Sequence, residues 1–369
     1  MKLLFPLILT TFFALVHYLG YSRIVKKLHV KEITVKWLTW LLVLNFIGIT
    51  GYVAARYLLY LPQALYFMLS LSVGVGFILF VSLILYEVLH LLQRSLPFRD
   101  EKRAFFKRVS DLGFLSLGTG YIGASVYEGS KRPVVEYVSV DQKRFDGQSY
   151  RVVQISDMHV GGLIDHDFVR ESVATINRLN PDLVVITGDL TDMPIEKITE
   201  AVDELAHLES RFGTYYIPGN HEYFHGIEAT LAYLKKIGIK VLENSAEQIE
   251  AFWIVGVYDV FGYRYDKYIP DIKEATKELP EDAHSLLLAH QPRYLENLEG
   301  FKPSLMLSGH THGGQIWPFG HLVKLVQPYL KGLHALDNDR HIYVNSGIGF
   351  WGPAMRLGTE AEITCIDWS

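Results

Sequence analysis

Long apolar stretches fill the first third of the chain, and shorter apolar runs separated by polar segments follow. Three of the long stretches contain no Asp, Glu, Lys or Arg, and each could cross a hydrocarbon core of about 30 Å as a helix: residues 3–20, 37–55 and 57–86. The third is too long for one straight crossing, so we expect its helix to begin near Pro62 and to end near Leu92. The pattern therefore predicts three membrane spans.

Residues 112–127 form a fourth uncharged stretch that is shorter and rich in glycine. Its length and composition leave two interpretations open, a fourth span or an interfacial or buried helix that leads into the next domain. We expect the fourth span, which gives a transmembrane helical region at residues 1–130.

Basic residues in the loops predict the orientation of these spans. Five of them separate the first two spans, whereas the second loop has only Arg56, so the first loop is expected in the cytoplasm: Arg23, Lys26, Lys27, Lys31 and Lys36. Six more follow the third span and are again typical of the cytoplasmic side: Arg94, Arg99, Lys102, Arg103, Lys107 and Arg108.

The location of the second half of the chain depends on residues 112–127. If they cross, everything from about Lys131 onward faces outside, and if they do not, it is cytosolic. The run KRAFFKR at 102–108 resembles a twin-arginine export signal in which Lys102 replaces the first arginine. We therefore expect a multi-pass protein of the bacterial cell membrane whose second domain lies on the outer face.

Residues 131–369 have the pattern of an α/β domain. Six near-continuous apolar runs are typical of strands buried on both faces: 150–157, 182–189, 214–220, 252–259, 285–292 and 304–310. Two further runs, at 341–347 and 361–368, close the chain. Apolar residues at helical spacing from Phe168 to Leu179 predict one helix, and a second pattern covers 195–208. Strands that alternate with helices predict an α/β fold.

Overall composition excludes some classes of site. The only cysteine is Cys365, so the sequence allows no internal disulfide and no cysteine-based metal site. A net charge of −5 argues against nucleic-acid binding over the whole surface.

Polar side chains stand where the predicted strands end. In open α/β sheets, ligands bind outside the carboxyl ends of the strands, so these side chains can converge on one crevice: Asp157, His159, Asp189, Asn220, His221, His290, His310 and His312. Carboxylate and imidazole ligands without thiolates suit Mn, Fe or Zn. The set is larger than one ion requires, so we expect two divalent metal ions that share a ligand.

Taken in order, five motifs resemble those of the calcineurin-like metallophosphoesterases. They are DMH at 157–159, GDLTD at 188–192, GNHE at 219–222, AHQP around His290 and GHTH at 309–312. The form GHTHGGQIWPFG, joined to several N-terminal spans, is further similar to the membrane-associated or exported bacterial phosphodiesterase-like branch of that family. The resemblance implies a four-layer αββα sandwich with a dinuclear metal centre.

The resemblance also implies a role for each residue. One ion would be held by Asp157, His159 and His312, the other by Asn220, His290 and His310, and Asp189 would bridge them. His221 would stabilise the phosphoryl group or protonate the departing oxygen, and Asp192 would orient His221. A helix cap before residue 195 is the alternative for Asp192, and Glu222 receives no catalytic role.

Several other residues have open assignments. His166, His225, His321 and His334 are more often surface residues than substrate contacts. Arg293 is a candidate phosphate partner, with a plain surface charge as the alternative. The apolar segment 316–334 is expected either to pack on the core as a rim helix or to present an apolar face to lipid.

These features favour a membrane-anchored, metal-dependent phosphoesterase. Two cations about 3.5–4 Å apart would lower the pKa of a shared water and make hydroxide available near neutral pH. We expect hydrolysis of phosphodiester or pyrophosphate bonds, with a phospholipid or lipid-linked phosphoester as one candidate substrate. The alternatives are a small-molecule phosphomonoesterase and a membrane sensor or transporter whose soluble domain only binds metal. Transport has little support, because the spans lack a cluster of carboxylates.

Overall fold

The computed structural model describes residues 4–28, 30–57, 61–95, 100–141, 145 and 147–369. It divides into two compact units, one formed by Met1–Ser130 with Gly352–Met355 and one by Lys131–Trp351 with Arg356–Ser369. Of the residues used to predict spans and loops, Leu3, residues 58–60 and Arg99 lie outside the described residues.

The first unit contains four long helices: α1 (Leu4–Leu19), α2 (Glu32–Tyr57), α3 (Gln63–Ser95) and α4 (Asp100–Gly129). Within the described residues, three segments are long and apolar enough to cross a membrane: Pro6–Lys27, Glu32–Arg56 and Gln63–Leu92. The prediction of three such N-terminal helices is confirmed, including the start of the third just after Pro62. Residues 112–127 form the second half of α4, which is not among the three.

Polar side chains connect the helices of this unit. The Arg23 guanidinium, just after α1, donates to both carboxylate oxygens of Glu87 on α3, at 2.7 and 2.9 Å. Asn45 on α2 lies 2.8 Å from His17 Nε2 and donates to the Ser72 carbonyl on α3. Glu87 therefore has a charge partner that can explain its presence without transport chemistry.

Two six-stranded sheets form the second unit. The first has the order β1-β12-β2-β3-β4-β5, with the strands β1 (Val134–Val140), β2 (Tyr150–Ile155), β3 (Leu183–Ile186), β4 (Thr214–Tyr216), β5 (Lys240–Val241) and β12 (Glu362–Trp368). The other has the order β10-β11-β9-β8-β7-β6, with β6 (Ser245–Ile249), β7 (Phe252–Gly256), β8 (Ser285–Leu288), β9 (Leu305–Ser308), β10 (Gly332–Ala335) and β11 (His341–Val344). Strands β2 to β5 run parallel, as do β7, β8, β9 and β11.

Short helices lie between these strands. They are α5 (His166–Asn177), α6 (Thr199–Asp203), α7 (Asn220–His225), α8 (Ile227–Lys236), α9 (Gly262–Tyr265), α10 (Ile272–Thr276) and α11 (Gly320–Val323). Helix α5 agrees with the predicted helix and is capped by Asp165, which accepts from the Phe168 N–H at 3.0 Å. The prediction of a single helix over 195–208 is wrong. Ile198 has a non-helical φ of −129°, which separates the 3-10 turn Ile195–Lys197 from α6, and after α6 the chain continues directly into the 3-10 turn Glu204–His207.

Alternating side chains of the buried strands fill two different cores. In β3, Val184 and Ile186 pack against the helices α5, α6 and α8, whereas Leu183 and Val185 face the other sheet. A third apolar cluster joins the outer face of the second sheet to α10 and to the 3-10 turn Pro292–Asn297. The unit is thus layered helix, sheet, sheet, helix, and the predicted αββα sandwich is confirmed.

Candidate metal centre

The side chains that follow the central strands converge at one edge of the sandwich. Strands β2, β3, β4, β8 and β9 each end within four residues of a motif residue. One ligand atom from each of Asp157, His159 and His312 lies within 4.8 Å of the others, and the same holds for Asp189, His290 and His310. The structure therefore brings together carboxylates and imidazoles that are more than 150 residues apart in the chain.

Asp189 belongs to the second group and also lies close to His159 of the first. Its Oδ2 is 3.3 Å from His290 Nε2 and 3.9 Å from His221 Nε2, and Asp189 also forms a third group with His159 and His221. In the first group, His312 Nε2 lies 3.0 Å from His159 Nε2 and 3.4 Å from Asp157 Oδ1. A carboxylate between two imidazole clusters is the arrangement that a shared ligand requires.

Buried polar atoms that form no hydrogen bond indicate that these residues fit divalent cations. Among the described residues, five such atoms belong to the motif residues: Asp157 Oδ1, Asn220 Oδ1, His290 Nε2, His310 Nδ1 and His312 Nδ1. A buried polar atom without a hydrogen bond is costly, so a cluster of them calls for a ligand. Oxygen and imidazole nitrogen atoms are ligands of Mn, Fe and Zn.

The electrostatic environment keeps two of the imidazoles neutral, as metal ligands must be. Burial lowers the pKa of His310 to about 3, whereas the Asp189 carboxylate outweighs burial at His290 and raises the pKa of that ring in the absence of a metal ion. Burial also lowers the pKa of His312 well below its usual value, and the neighbouring His159 and Arg356 act in the same direction.

Hydrogen bonds at the opposite ring nitrogens orient the histidines. His159 Nδ1 and His221 Nδ1 both form a hydrogen bond with the same oxygen of Asp192, at 2.8 and 2.5 Å. His290 Nδ1 donates to the Thr187 carbonyl at 2.7 Å. Such partners fix the ring and direct its other nitrogen inward. Asp192 does not cap the 3-10 turn Ile195–Lys197, which lacks a side-chain cap. Its bond to His159 was not predicted.

The backbone at the site is held in an uncommon conformation. Five residues of the two groups have positive φ angles between 49° and 70°: Asp157, His159, Asp189, His310 and His312. A non-glycine residue in this region is uncommon and costs on the order of 1–3 kcal/mol, and such residues tend to cluster at functional sites. Gly309 allows the close approach of two motifs, because a Cβ there would overlap the side chains of Ser156 and Asp157.

Sequence reasoning missed the part played by Glu222. Its fully buried carboxylate accepts hydrogen bonds from the backbone N–H groups of Asp189, Leu190, Thr191 and Gly219, at 2.6–3.1 Å. Glu222 therefore holds the loops after β3 and β4 together beneath Asp189 and Asn220. The sequence did contain a signal for this role. A Glu three residues after the N-cap, here Gly219, is typical of a capping box at the start of a helix.

Arg356 was also missed. Its guanidinium is fully buried and donates to four backbone carbonyls, those of Ser346, Gly347, Gly349 and Glu360, at 2.7–3.1 Å. The N–H groups of Ile348 and Gly349 in the same loop donate to the carbonyls of Ser156 and Asp157. Burial lowers the pKa of Arg356 to about 10, which still leaves it charged at neutral pH. Arg356 thus positions the loop that supports Asp157.

The remaining histidines have different surroundings. His225 forms a group with Asp192 and His221 whose ligand atoms lie within 4.8 Å of one another. His166 instead pairs with Glu204 at 2.7 Å, His334 donates to the Lys331 carbonyl, and His321 is exposed on α11. Of the four histidines with open assignments, the structure brings His225 to the site.

The apolar segment 316–334 does not pack on the core as one rim helix. Its helix, α11, has only four residues, and none of them is buried. Several large apolar side chains around it are exposed, among them Trp317 at 56%, Leu325 at 79% and Val326 at 64%.

Comparison with known proteins agrees with this geometry. The sequence model of the family described as calcineurin-like phosphoesterase matches residues 150–314. An uncharacterized metallophosphoesterase of Helicobacter pylori is 37% identical over 365 residues, which cover 98% of each chain. One from Campylobacter jejuni is 31% identical over 369 residues and covers 99% of this chain and 98% of its own.

Two more distant proteins were also found. A transmembrane protein with metallophosphoesterase domain from Danio rerio is 34% identical over 228 residues, 58% of this chain and 52% of its own. Among solved structures, the 5'-nucleotidase precursor of Thermus thermophilus is 15% identical, with a TM-score of 0.37 and coverage of 60% of this chain and 55% of that one.

Proposed function

The chain belongs to the calcineurin-like metallophosphoesterases, and we propose that it hydrolyses phosphodiester or pyrophosphate bonds with two divalent metal ions. The observation that carries this proposal is the position of the Asp189 carboxylate between two clusters of imidazoles and carboxylates. Residues 131–369 would form the catalytic domain, and residues 1–130 would anchor it in the membrane.

In the proposed site, each ion has its own ligands. Asp157, His159 and His312 would hold one, Asn220, His290 and His310 the other, and Asp189 both. When bound, two such cations supply an activated water near neutral pH and neutralise charge on the phosphoryl oxygens. The donor set suits Mn, Fe or Zn.

His221 is the proposed proton donor. Asp192 lies on its Nδ1 at 2.5 Å, and its Nε2 is directed towards Asp189 Oδ2 at 3.9 Å. From there the ring can donate to a phosphoryl oxygen or protonate the departing oxygen, a step that typically contributes 10²–10⁴-fold to the rate. Asp192 acts as a positioning residue, because it holds the rings of both His221 and His159.

We further propose a location in the bacterial cell membrane with the catalytic domain on the outer face. Basic residues in the first loop and at the start of α4 favour a cytoplasmic start of that helix, and the uncharged residues 112–127 would then cross to the outer face. A lipid-linked phosphoester is the second candidate substrate, since Trp317, Leu325 and Val326 form exposed apolar surface in the segment that follows His312.

Hydrolysis by the full-length protein in detergent tests the proposal. With added Mn²⁺, we expect cleavage of bis-p-nitrophenyl phosphate, and we expect His221→Ala to lower kcat by about 10²–10⁴-fold while metal content is kept. His207→Ala, at an exposed histidine outside the site, is the matched control. Cleavage of p-nitrophenyl phosphate alone would favour the phosphomonoesterase instead. No turnover by folded, metal-loaded protein would refute the proposal.

A further inference from the structure

A cleft of about 310 Å³ lies among the segments that follow β7 and β8. Six residues line it: Val260, Tyr263, Arg264, Arg293, Glu296 and Asn297. Both strands run parallel and end at the edge where the motif residues lie. His290 comes two residues after the end of β8, and Arg293 follows it by three. The cleft volume is in the range of small-molecule sites.

The cleft carries a surplus of positive charge. Two guanidinium groups line it against the single carboxylate of Glu296. Within the described part of the chain, neither Arg264 nor Arg293 has a carboxylate within the 4.0 Å of an ion pair. A guanidinium without an ion-pair partner can bind an oxyanion through two parallel hydrogen bonds.

Buried hydrogen bonds fix the segments that present these arginines. The Arg293 N–H donates to Gln327, whose amide in turn donates to Gln291, at 3.1 and 3.0 Å. Gln291 also donates to Asp259 at 3.0 Å, and the same Asp259 oxygen accepts from the Phe261 N–H, three residues before Arg264. Asp259, Gln291 and Gln327 are all buried. The two sides of the cleft are thus joined before any ligand binds, which lowers the cost of ordering them.

The cleft also lies next to the proposed metal ligands along the chain. Gln291 directly follows the proposed ligand His290 and belongs to the hydrogen-bonded chain that joins the two sides of the cleft. An anion that reaches from the centre into the cleft would therefore meet two positively charged regions in succession.

We propose that Arg264 and Arg293 bind the second phosphate of the substrate while the metal centre holds the first, so that the preferred substrates are organic diphosphates. This inference rests on the proposed phosphoesterase function and narrows its substrate class. A diphosphate carries a second anionic group beside the one that the metal centre would hold, and the arginines could bind that group, whereas a simple diester leaves them without a partner.

Binding of ADP and AMP to the full-length, Mn²⁺-loaded protein tests the proposal, because the two ligands differ by one phosphate. By titration calorimetry we expect ADP to bind more tightly than AMP. Arg264→Ala and Arg293→Ala should each lower the ratio of the two affinities by about ten- to a hundredfold. Arg293→Lys should keep part of the ratio, and Arg178→Ala, at an exposed arginine beyond α5, should leave it unchanged.

The outcomes separate this proposal from the general function. If ADP binds no better than AMP, or if both alanine variants keep the ratio, the assignment of the cleft is wrong even though bis-p-nitrophenyl phosphate is cleaved. If the ratio depends on the arginines but the wild-type protein cleaves no phosphoester, the cleft stands and the phosphoesterase function fails.

Discussion

Glu222 shows how far the candidate centre depends on residues that would not touch the metal. Its carboxylate lies beneath the loops that carry Asp189 and Asn220, and every hydrogen bond it makes to the backbone is one in which it accepts. An amide at the same position would present an NH₂ group to at least one backbone N–H. The two loops would then lose part of their common support.

We therefore expect Glu222→Gln to weaken both the fold and metal binding. Each backbone donor left without an acceptor costs about 1–3 kcal/mol, and the loss of such outer hydrogen bonds typically lowers metal affinity by about 10–100-fold. The thermal unfolding temperature of the full-length protein in detergent and a Mn²⁺ titration measure the two effects. Glu281→Gln, at an exposed loop residue, is the matched control. Wild-type values for Glu222→Gln would contradict this role.

At the residue scale, the motifs identified the side chains that meet at the edge of the sandwich, because ligand types and spacing are visible in a sequence. Supporting residues were harder to find. Arg356 binds carbonyls of a loop that is distant from most motifs, and it stands as a single cation between Met355 and Leu357. Nothing in that local pattern indicates which backbone groups a buried guanidinium will satisfy.

At the scale of elements, the predicted strands are central and the missed strands are the edges. The strands β1 and β5 flank the first sheet, and β6 and β10 flank the second. Central strands such as β3 are buried at every position and give continuous apolar runs, whereas β10 is buried at none. A half-exposed edge strand mixes polar and apolar residues, so its sequence does not differ clearly from a loop.

Helix α4 is the element on which the membrane topology depends. Its N-terminal part carries the basic residues 102–108, and its later part is uncharged from 112 to 127. An added Cβ at Gly113, Gly118, Gly120 or Gly123 would meet no atom within 4 Å. The glycine positions of this part of the helix therefore face unoccupied space. The glycines also lower the mean hydropathy by which a membrane span is recognised.

Reporter fusions test the orientation directly. Basic residues favour a cytoplasmic start of α4, so the end of the helix would lie outside if the helix crosses the membrane. Alkaline phosphatase is active only outside the cytoplasm, and we therefore expect a fusion after Gly129 to be active. A fusion after Lys36, in the basic first loop, should be inactive and serves as the control. An inactive fusion after Gly129 together with an inactive control would place the catalytic domain in the cytosol.

At the scale of the whole molecule, the chain combines a helical unit with an α/β unit, and different sequence patterns indicate the two. Long uncharged stretches are sufficient to indicate the helices. The sandwich follows from apolar runs that alternate between two cores. The sequence did not indicate that the short segment Gly352–Met355 groups with the first unit, because this grouping depends on tertiary packing.

The central claim is that Asp189 is shared by two metal ions, and metal analysis of the purified full-length protein tests it most directly. We expect about two divalent ions per wild-type chain, and a loss of most metal and activity in Asp189→Asn, because the carboxylate lies between both clusters. Asp337→Asn, at an exposed aspartate, should keep both ions. A wild-type protein that binds one ion, or an Asp189→Asn variant with two ions and full activity, would contradict the claim.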